Sequence, residues 1–305
     1  MSSGFSGRRV LVTGARGFLG ARLVDRLLVD GAQVHAVSRH DAPGRPDVCW
    51  WRLDLSNLAP TANMIGSVRP DVIFHLASEV TGARDVNLVL PVFRSNLQST
   101  VNLLVASTEN VPARIVLAGS LEEAGIDGGE LAPSSPYAVA KWASTGYARM
   151  FSELWALSIS TLRISMVYGP GQRDMSKLIP YVIDSVLQGR IPKVTSGTRR
   201  VDWVYVDDVV DALLAAARAA HSGVINIGSG SSVAIRDVVA LVTRIIGTGL
   251  EAEFGALADR PLDRDWCADI SAAKELIGWQ PSTGLEQGME MTVRWYRDAI
   301  DRPAR

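Results

Sequence analysis

Cysteine, histidine and lysine are scarce in this chain of 305 residues, and their scarcity excludes several kinds of site. Cys49 and Cys267 are the only cysteines and have no CxxC spacing, so we expect neither a disulfide framework nor a zinc site. The four histidines form no HExxH pair, and no metal site is expected. Only four of the 31 basic side chains are lysines, so a lysine at a chemically useful spacing is less often there by chance.

The chain also lacks an excess of charge and any long apolar run. Its 31 basic and 32 acidic residues give a net charge of −1, which argues against a nucleic-acid partner or an anionic membrane surface. No uninterrupted apolar run approaches the ~18 residues of a membrane span, and the polar N-terminus does not resemble a signal peptide. With 47% hydrophobic and 21% charged residues the composition is that of a globular protein, and a cytoplasmic location is the simplest expectation.

Short apolar segments alternate with helical patterns over the first half of the chain. Six apolar strands alternating with helices favour an α/β fold with a Rossmann-type, doubly wound parallel sheet. The later pattern is mixed and favours a smaller α/β lobe. Strands are predicted over 9–13, 34–38, 48–53, 72–76, 114–119, 159–165, 203–206 and 224–227, and helices over 18–29, 91–107, 135–157, 177–187, 207–219, 235–246, 272–276 and 285–299.

This organisation predicts two domains. A dinucleotide-binding domain is expected over 1–166, with 201–228 returning to it, and a smaller mixed α/β substrate-binding lobe over 167–200 and 229–305. An open α/β sheet binds its ligand at the carboxyl ends of its strands, so the functional residues are expected at that edge.

Three glycines follow the first predicted strand and open the first predicted helix. The segment 13–20 reads TGARGFLG, which gives Gly14, Gly17 and Gly20 the spacing of the dinucleotide-binding fingerprint. Such a turn lets the backbone approach a pyrophosphate closely and points a helix N-terminus at it. The predicted phosphate-binding segment also includes Arg16, Phe18 and Leu19.

The residues after the second predicted strand bear on the choice of cofactor. An acidic residue there would accept hydrogen bonds from the adenosine ribose and favour NAD, but this chain has Ser38 and Arg39. Arg39 can pair with a 2′-phosphate and Arg16 adds a second cation, so NADP(H) is preferred and NAD(H) is possible. The alternative is that Arg39 is an ordinary surface arginine. Asp54 and Leu55 are candidates for the adenine pocket, with a helix cap as the alternative for Asp54.

Tyr137 and Lys141 form a YxxxK pair at the start of a predicted helix, where positions i and i+4 share one face. A free tyrosine, with a pKa near 10, is a poor acid–base catalyst at neutral pH. An adjacent ammonium and a cationic nicotinamide both favour the phenolate. Ser120 ends the fifth predicted strand, where its hydroxyl can hold a carbonyl or alcohol oxygen beside the tyrosine; alone, it could equally make a strand-end hydrogen bond.

With these residues the chain resembles the extended short-chain dehydrogenase/reductase family, of the type that acts on nucleotide sugars. The resemblance covers nearly the whole chain. The matching segments are together highly specific for the family, and they include TGARGFLG at 13–20, FHLAS at 74–78, SNLQSTVNLL at 95–104, AGSLEEAG at 118–125, SPYAVAK at 135–141, LRISMVYGPGQ at 162–172, VDWVYVDDVVDA at 201–212, RPLD at 260–263 and LIGWQP at 276–281.

The resemblance implies a bound nicotinamide dinucleotide, with Ser120 and Tyr137 around the reacting sugar carbon and Lys141 on the nicotinamide ribose. It also implies a homodimer in which the helices near 91–107 and 135–157 form a four-helix bundle. His75 matches a strand-end histidine for which a structural role is expected. The same resemblance places four further residues near the cofactor, namely Leu76, Ala77, Ser78 and Asn96.

Three positions depart from the family pattern. Met166 stands where the family often has an asparagine that touches the substrate diphosphate, and Val201 stands where it has an arginine. Leu121 replaces the aspartic acid that serves the 4,6-dehydratases as general acid, which disfavours dehydration. Glu122 could still abstract a proton next to a ketone, or be a solvated loop carboxylate. A diphosphate would be held by other cations, for which the candidates are Arg173, Lys177, Arg199, Arg200 and Arg260.

Three functions remain open. An NADPH-dependent ketoreductase acting on a nucleotide-linked 4-keto sugar is preferred because the arginines suit NADP, with Tyr137 supplying the proton. The alternative is a nucleotide-sugar 4-epimerase with retained NAD. A catalytically inactive nucleotide-sensing or scaffold protein is disfavoured by the intact Ser120, Tyr137 and Lys141. The choice rests on the site, because one fold serves many reactions.

Overall fold

The computed structural model describes residues 4–41, 45–109, 113–126 and 132–301. In chain order the strands are β1 (Arg9–Thr13), β2 (Gln33–Ser38), β3 (Cys49–Arg52), β4 (Val72–His75), β5 (Arg114–Ser120), β6 (Ile159–Ile164), β7 (Met166–Tyr168), β8 (Lys193–Val194), β9 (Arg200–Tyr205), β10 (Gly223–Ile227), β11 (Ser232–Ala234) and β12 (Glu253–Phe254). The α-helices are α1 (Phe18–Val29), α2 (Leu58–Val68), α3 (Val89–Val92), α4 (Ser99–Thr108), α5 (Pro136–Trp155), α6 (Leu178–Leu187), α7 (Val206–Arg218), α8 (Ile235–Ile246), α9 (Ser271–Ile277) and α10 (Leu285–Asp301).

The central sheet has seven strands in the order β10-β6-β5-β4-β1-β2-β3. The pairs from β6 across to β3 are parallel, which confirms the predicted Rossmann-type α/β fold. The strand order reverses beside β1, where chain order runs outward through β2 on one side and through β4 on the other. Ligands of doubly wound sheets bind at this switch point.

Register brings the ends of several strands to the same edge. Thr13 pairs with Val37 of β2 on one side and with His75 of β4 on the other. β5 extends beyond β4 to Ser120. In parallel strands these carboxyl ends share one edge of the sheet, so the glycine turn, Ser38 and Ser120 are brought to it together.

The sequence patterns predicted most of these elements, but α2 was missed. Its sequence, LAPTANMIGSV, contains proline, glycine and β-branched residues that disfavour a helix. The helix forms because Met64, Ile65 and Val68 are buried at helical spacing against the sheet core with Leu103 and Leu104 of α4. The helix predicted over 91–107 also differs, since a π-helical turn at Phe93–Gln98 separates α3 from α4.

The chain forms two compact units, whose limits differ from the predicted domains. The first contains Met1–Ile164, Val210–Asn226 and Ser271–Trp279, and the second contains the remaining segments. The predicted return over 201–228 starts too early, because β9 pairs with β7 and β11 in the second unit's three-stranded sheet. The segment Ser271–Trp279, with α9, was assigned to the substrate lobe by sequence but lies in the first unit.

The second unit is organised around a buried carboxylate on β9. Asp202 accepts hydrogen bonds from the backbone N–H groups of Ser229 at 2.7 Å, Gly230 at 3.1 Å and Ala268 at 3.1 Å. These bonds fix two loops against the strand. Among the described residues, no helix is both long and apolar enough to cross a membrane.

Candidate active site

The glycine turn after β1 is closely packed against the chain that follows β4. Gly14 has φ of +65°, and a Cβ atom there would lie 2.7 Å from the backbone nitrogen of Ala77. A Cβ atom on Gly20 would overlap the carbonyl oxygen of Gly14 and lie 2.8 Å from Cα of Ala15. Gly17 is less constrained, since its φ is −73° and its Cβ would lie 3.1 Å from the Gly14 oxygen. Two of the three glycines are therefore required by the turn itself.

The first turn of α1 offers hydrogen-bond donors to an anion. Gly17 is the N-cap residue, and no side chain of the described residues caps this helix end. The N-terminal N–H groups of a helix have no intrahelical partners, and the helix dipole is positive there. The local structure therefore fits a dinucleotide pyrophosphate.

A chain of buried hydrogen bonds runs beneath this turn. Thr13 Oγ1 accepts from the N–H groups of Leu76 and Ala77, each at 3.1 Å, so its hydroxyl proton goes to His75 Nδ1 at 2.9 Å. His75 Nε2 then donates to Thr100 Oγ1 at 3.0 Å, since that hydroxyl donates in turn to the Asn96 carbonyl at 2.6 Å. Burial, and secondarily the charge of Lys141, lowers the pKa of His75 to about 3. His75 is thus a neutral structural link, as expected.

Asn96 belongs to the π-helical turn and is 1% exposed. Its side chain accepts from the Glu79 N–H at 2.6 Å and donates to the Glu79 carbonyl at 3.0 Å. This pair of bonds fixes the loop that follows β4, where the candidates Leu76, Ala77 and Ser78 are half-buried. Asn96 therefore positions the loop.

The two cations predicted to favour NADP, Arg39 after β2 and Arg16 in the glycine turn, are accompanied by a carboxylate. Arg39 lies with its guanidinium 4.0 Å from Glu79 Oε2, and both side chains are about half exposed, at 59% and 48%. Arg16 donates to the Asp41 carbonyl at 3.0 Å. Ser38 Oγ accepts from the His40 N–H at 3.1 Å. Glu79 was not a sequence candidate, and it offsets part of the positive charge that favoured NADP.

Of the adenine-pocket candidates, Asp54 is exposed and Leu55 is buried. Asp54 Oδ1 accepts from the Ser56 N–H at 2.9 Å, which is a local turn contact. Leu55 packs into the core beneath the sheet, and its carbonyl accepts from Asn102 Nδ2 at 2.9 Å. Leu55 therefore contributes to the core packing of the first unit.

Ser120, Tyr137 and Lys141 come together at the end of β5 and the start of α5. Ser135 caps α5 by accepting from the Ala138 N–H at 3.1 Å, which places Tyr137 in the first turn. Lys141 follows one turn later, with Nζ 5.8 Å from the centroid of the Tyr137 ring and 2.7 Å from the Ala118 carbonyl oxygen, to which it donates. Ser120 makes a side-chain hydrogen bond with Tyr137.

Burial dominates the ionisation of this trio. Burial raises the pKa of Tyr137 above its usual value, and the negative charges of Glu122 and, to a smaller extent, Glu123 raise it further. The hydrogen bond with Ser120 acts in the opposite direction and lowers the Tyr137 pKa. Burial also lowers the pKa of Lys141 from 10.5 to about 8, with Glu123 acting in the opposite direction. The protein alone therefore does not produce the lowered tyrosine pKa that the YxxxK pattern predicts.

Two adjacent glutamates differ sharply. Glu122, the sequence candidate, is half-buried, and its carboxylate accepts from Ser134 Oγ at 3.5 Å. Glu123 was not singled out, yet its side chain is fully buried and accepts three hydrogen bonds, including one from Arg163 Nε at 3.2 Å. The sequence did contain a signal for a buried acidic residue, namely Arg163, because a cation within the apolar strand β6 requires a buried partner of opposite charge.

The candidate substrate residues lie in the second unit and are mostly paired. Arg199 donates to the Arg264 carbonyl at 2.7 Å and to Asp263 at 3.2 Å, and Arg200 donates to the Ser232 carbonyl. Lys177 Nζ is 3.7 Å from Asp174. Arg173 and Arg260 are exposed.

The three positions that depart from the family pattern also differ in burial. Val201 is 3% exposed on β9 and Leu121 is 5% exposed beside Ser120, whereas Met166 is 40% exposed on β7. Neither of the two buried residues could be replaced by a charged side chain without leaving a buried charge. Met166 presents an apolar side chain to solvent.

Comparisons with known proteins agree on one family. The profile of the NAD-dependent epimerase/dehydratase family matches residues 10–228. The chain is 32% identical to a UDP-glucose 4-epimerase from Mycolicibacterium smegmatis over 95% of this chain and 99% of that protein. It is 28% identical to a dTDP-glucose 4,6-dehydratase from Streptomyces antibioticus over 95% of this chain and 92% of that protein.

Solved structures give the same result. The UDP-glucose 4-epimerase of Thermotoga maritima, determined with UDP-glucose, is 27% identical with a TM-score of 0.87, covering 95% of this chain and 99% of that chain. The UDP-glucose 4-epimerase of Thermus thermophilus, determined with NAD, is 28% identical with a TM-score of 0.84 at the same coverage.

The packing of the glycine turn predicts that Gly14→Ala destabilises the protein more than Gly17→Ala does. An alanine in the left-handed region costs roughly 1–2 kcal/mol, and overlap with the Ala77 backbone adds to this. We expect urea denaturation to show a clear loss of unfolding free energy for Gly14→Ala and a smaller loss for Gly17→Ala, whose Cβ would lie 3.1 Å from the Gly14 oxygen. Equal stability of the two variants would contradict the described turn.

Proposed function

Because the chain belongs to the NAD-dependent epimerase/dehydratase family, we propose that it is a nucleotide-sugar 4-epimerase acting with retained NAD. The observation that carries this proposal is the half-buried Tyr137 phenol beside Ser120, with Lys141 in the next helical turn. Leu121 has no acidic group to assist loss of water, which favours an epimerase over a dehydratase. The likeness to two UDP-glucose 4-epimerase structures supports a uridine diphosphate sugar as substrate.

The first unit contains the residues that would hold the cofactor. The turn Gly14–Gly20 and the N-terminus of α1 would take the pyrophosphate, and the ends of β2 and β4 would take the adenosine side. A bound nicotinamide would supply reversible acceptance and donation of the hydride at the sugar carbon. By the resemblance to the family, Lys141 would hold the nicotinamide ribose, and Tyr137 would face the reacting sugar carbon.

The proton chemistry falls to the protein side chains. Tyr137 Oη takes the proton of the sugar hydroxyl when that carbon is oxidised and returns a proton when it is reduced, so the full cycle leaves the proton count unchanged. The Ser120 hydroxyl holds the same oxygen in place by hydrogen bonding. Lys141, with its pKa near 8, is mostly cationic at neutral pH, and together with the positive charge of a bound oxidised nicotinamide it would favour the Tyr137 phenolate.

Tyr137→Phe tests this assignment. Removing the phenolic hydroxyl should reduce kcat for UDP-glucose and UDP-galactose interconversion by at least about 100-fold, because general acid–base catalysis contributes that much. Tyr147→Phe, on the exposed side of the same helix, should leave kcat unchanged. Bound dinucleotide should persist in both variants, measured by absorbance after release. Turnover of Tyr137→Phe within a few-fold of wild type would exclude Tyr137 as the proton carrier.

A second candidate is the NADPH-dependent reductase of a nucleotide-linked 4-keto sugar. The observation in its favour is the presence of two cations, Arg39 after β2 and Arg16 in the glycine turn, which suit a 2′-phosphate. Glu79, 4.0 Å from Arg39, opposes it because its carboxylate would repel that phosphate. The epimerase with NAD is therefore preferred here, which reverses the order that the sequence alone favoured.

Two opposite substitutions distinguish the cofactors. Arg39→Asp should weaken NADP binding by about tenfold or more, since a charge-assisted hydrogen bond is lost, and leave NAD binding within a few-fold. Glu79→Gln should strengthen NADP binding, because the repelling charge is gone while Asn96 still holds the backbone. Arg294→Asp, at an exposed position of α10 in the second unit, is the matched control for a change of net charge. Equal effects on both dinucleotides would remove Arg39 from the phosphate site.

We also propose a homodimer through the helices of the first unit. On α5, Val139, Trp142 and Met150 are exposed at 40%, 40% and 37% and lie on one helical face. Gly146 lies between them, and a Cβ atom there would meet nothing within 4 Å. A second apolar group, with Val86, Val89, Leu90 and Phe93, is exposed around α3. Exposed apolar faces of this kind mark interaction surfaces, and Gly146 would permit close helix approach.

Gly146→Gln should dissociate this dimer without harming the fold. The larger side chain has room in one chain and favours the helix, but it would separate two closely packed copies. We expect light scattering after size exclusion to show a dimer for the wild type and a monomer for Gly146→Gln. The control variant Arg294→Gln, changed at an exposed position of α10, should remain dimeric. A Gly146→Gln protein that stays dimeric would place the interface elsewhere.

A further inference from the structure

Glu123 is a fully buried carboxylate directly behind the proposed catalytic trio. Oε1 accepts the backbone N–H of Ser120 at 2.6 Å. Oε2 accepts the hydroxyl of Thr145 at 2.6 Å and Nε of Arg163 at 3.2 Å. The three donors come from the end of β5, from α5 and from β6. One side chain thus joins the three elements that surround the trio.

The surroundings of Glu123 are shaped to hold it. A Cβ atom on Gly119 would lie 2.8 Å from Oε1 and 2.9 Å from the Thr161 methyl group, so the strand must carry glycine at that point. The Arg163 side chain is only 11% exposed, and it compensates the buried negative charge. A buried ion pair adds little net stability compared with an apolar pair, so stability alone does not explain it.

The position of Thr145 gives this contact a functional meaning. Thr145 follows Lys141 by four residues and therefore lies on the same side of α5. The carboxylate links Ser120 on β5 to the helix that carries Tyr137 and Lys141. We propose that Glu123 is a positioning residue, which fixes Ser120 relative to Tyr137 and places a negative charge behind the trio.

The charge acts on both ionisable members of the trio. Tyr137 is influenced by Glu122 and Glu123 and by the hydroxyl of Ser120, and the charge of Glu123 raises the pKa of Tyr137. Lys141 is influenced by Glu123, which raises its pKa, and lies near His75, whose pKa of about 3 keeps it neutral. Arg163 faces Glu123 from β6. Removal of the charge should therefore lower the pKa of both Tyr137 and Lys141.

This inference rests on the proposed function for its kinetic part only. Glu123→Gln in the holoenzyme should lower kcat about tenfold, because a misplaced reacting group loses rate steeply, with KM unchanged. The acid limb of its kcat profile should move to lower pH, because Tyr137 ionises more easily. Glu123→Asp keeps the charge but is too short to reach all three donors, so kcat should fall while the acid limb stays in place. Glu153→Gln, exposed on α5, is the control.

A second measurement needs no substrate. The chain has four lysines, so the spectrum of protein labelled with ¹³C at lysine Cε is simple enough to follow Lys141, assigned with Lys141→Met. Its titration should lie near pH 8 in the wild type and at lower pH in Glu123→Gln. The wild type could lack epimerase activity while the Lys141 titration still lies at lower pH in Glu123→Gln than in the wild type. In that case the proposed function fails and the placement of the charge stands.

Two results would overturn the inference. One is a Lys141 titration that is the same in the wild type and in Glu123→Gln. The other is an equal fall of kcat in Glu123→Gln and Glu123→Asp with neither acid limb displaced, which would indicate a purely structural role. If Glu123→Gln does not fold, the double variant Glu123→Gln/Arg163→Leu removes both buried charges together. The Lys141 titration should then move in the same direction but by less, because loss of the Arg163 cation offsets part of the loss of the Glu123 charge, and a shift to higher pH would count against the proposal.

Discussion

The close approach of β1 to the chain leaving β4 is the constraint on which the rest of the first unit depends. Gly14 and Ala77 meet backbone to backbone at this point, and the Thr13 hydroxyl accepts two N–H groups across the gap. The chain of hydrogen bonds continues from Thr13 through His75 and Thr100 to Asn96, which fixes the loop after β4. The turn for a dinucleotide and the loop beside it are therefore held by one continuous network, and cooperative hydrogen bonding strengthens such chains.

Three buried charges among the described residues, Asp202, Arg114 and Glu123, lie where several elements meet. Asp202 fixes two loops of the second unit through backbone N–H groups. Arg114 is a buried cation that donates to the Ala216 carbonyl at 2.9 Å and to Ser160 Oγ at 2.6 Å. Glu123 joins β5, α5 and β6 by accepting a hydrogen bond from each of them. Desolvation makes each of these groups costly, so each must satisfy many donors or acceptors at once, and that demand fixes relative positions.

Local patterns predicted the elements that form for local reasons. Both ends of α1 could be predicted to the residue, because a glycine turn precedes the helix and Gly31 follows it. The YxxxK pair needed only helical periodicity, since Ser135 caps the helix next to it. In contrast, α2 has weak helical propensity and forms through burial of Met64 and Ile65 against the sheet. Its pattern was too weak to compete with the proline and glycine in the same segment.

The amino-acid sequence by itself determined the parallel sheet, the glycine turn and the trio Ser120, Tyr137 and Lys141, because periodicity, spacing and strand ends are local properties. Only the tertiary structure decided which charges face one another. Glu79 and Arg39 are 40 residues apart along the chain, as are Glu123 and Arg163, and each pair is brought together by neighbouring strands or loops. These pairs shape the electrostatics at the proposed adenosine end of the cofactor site and behind the trio, since the interaction between charges depends on distance and burial.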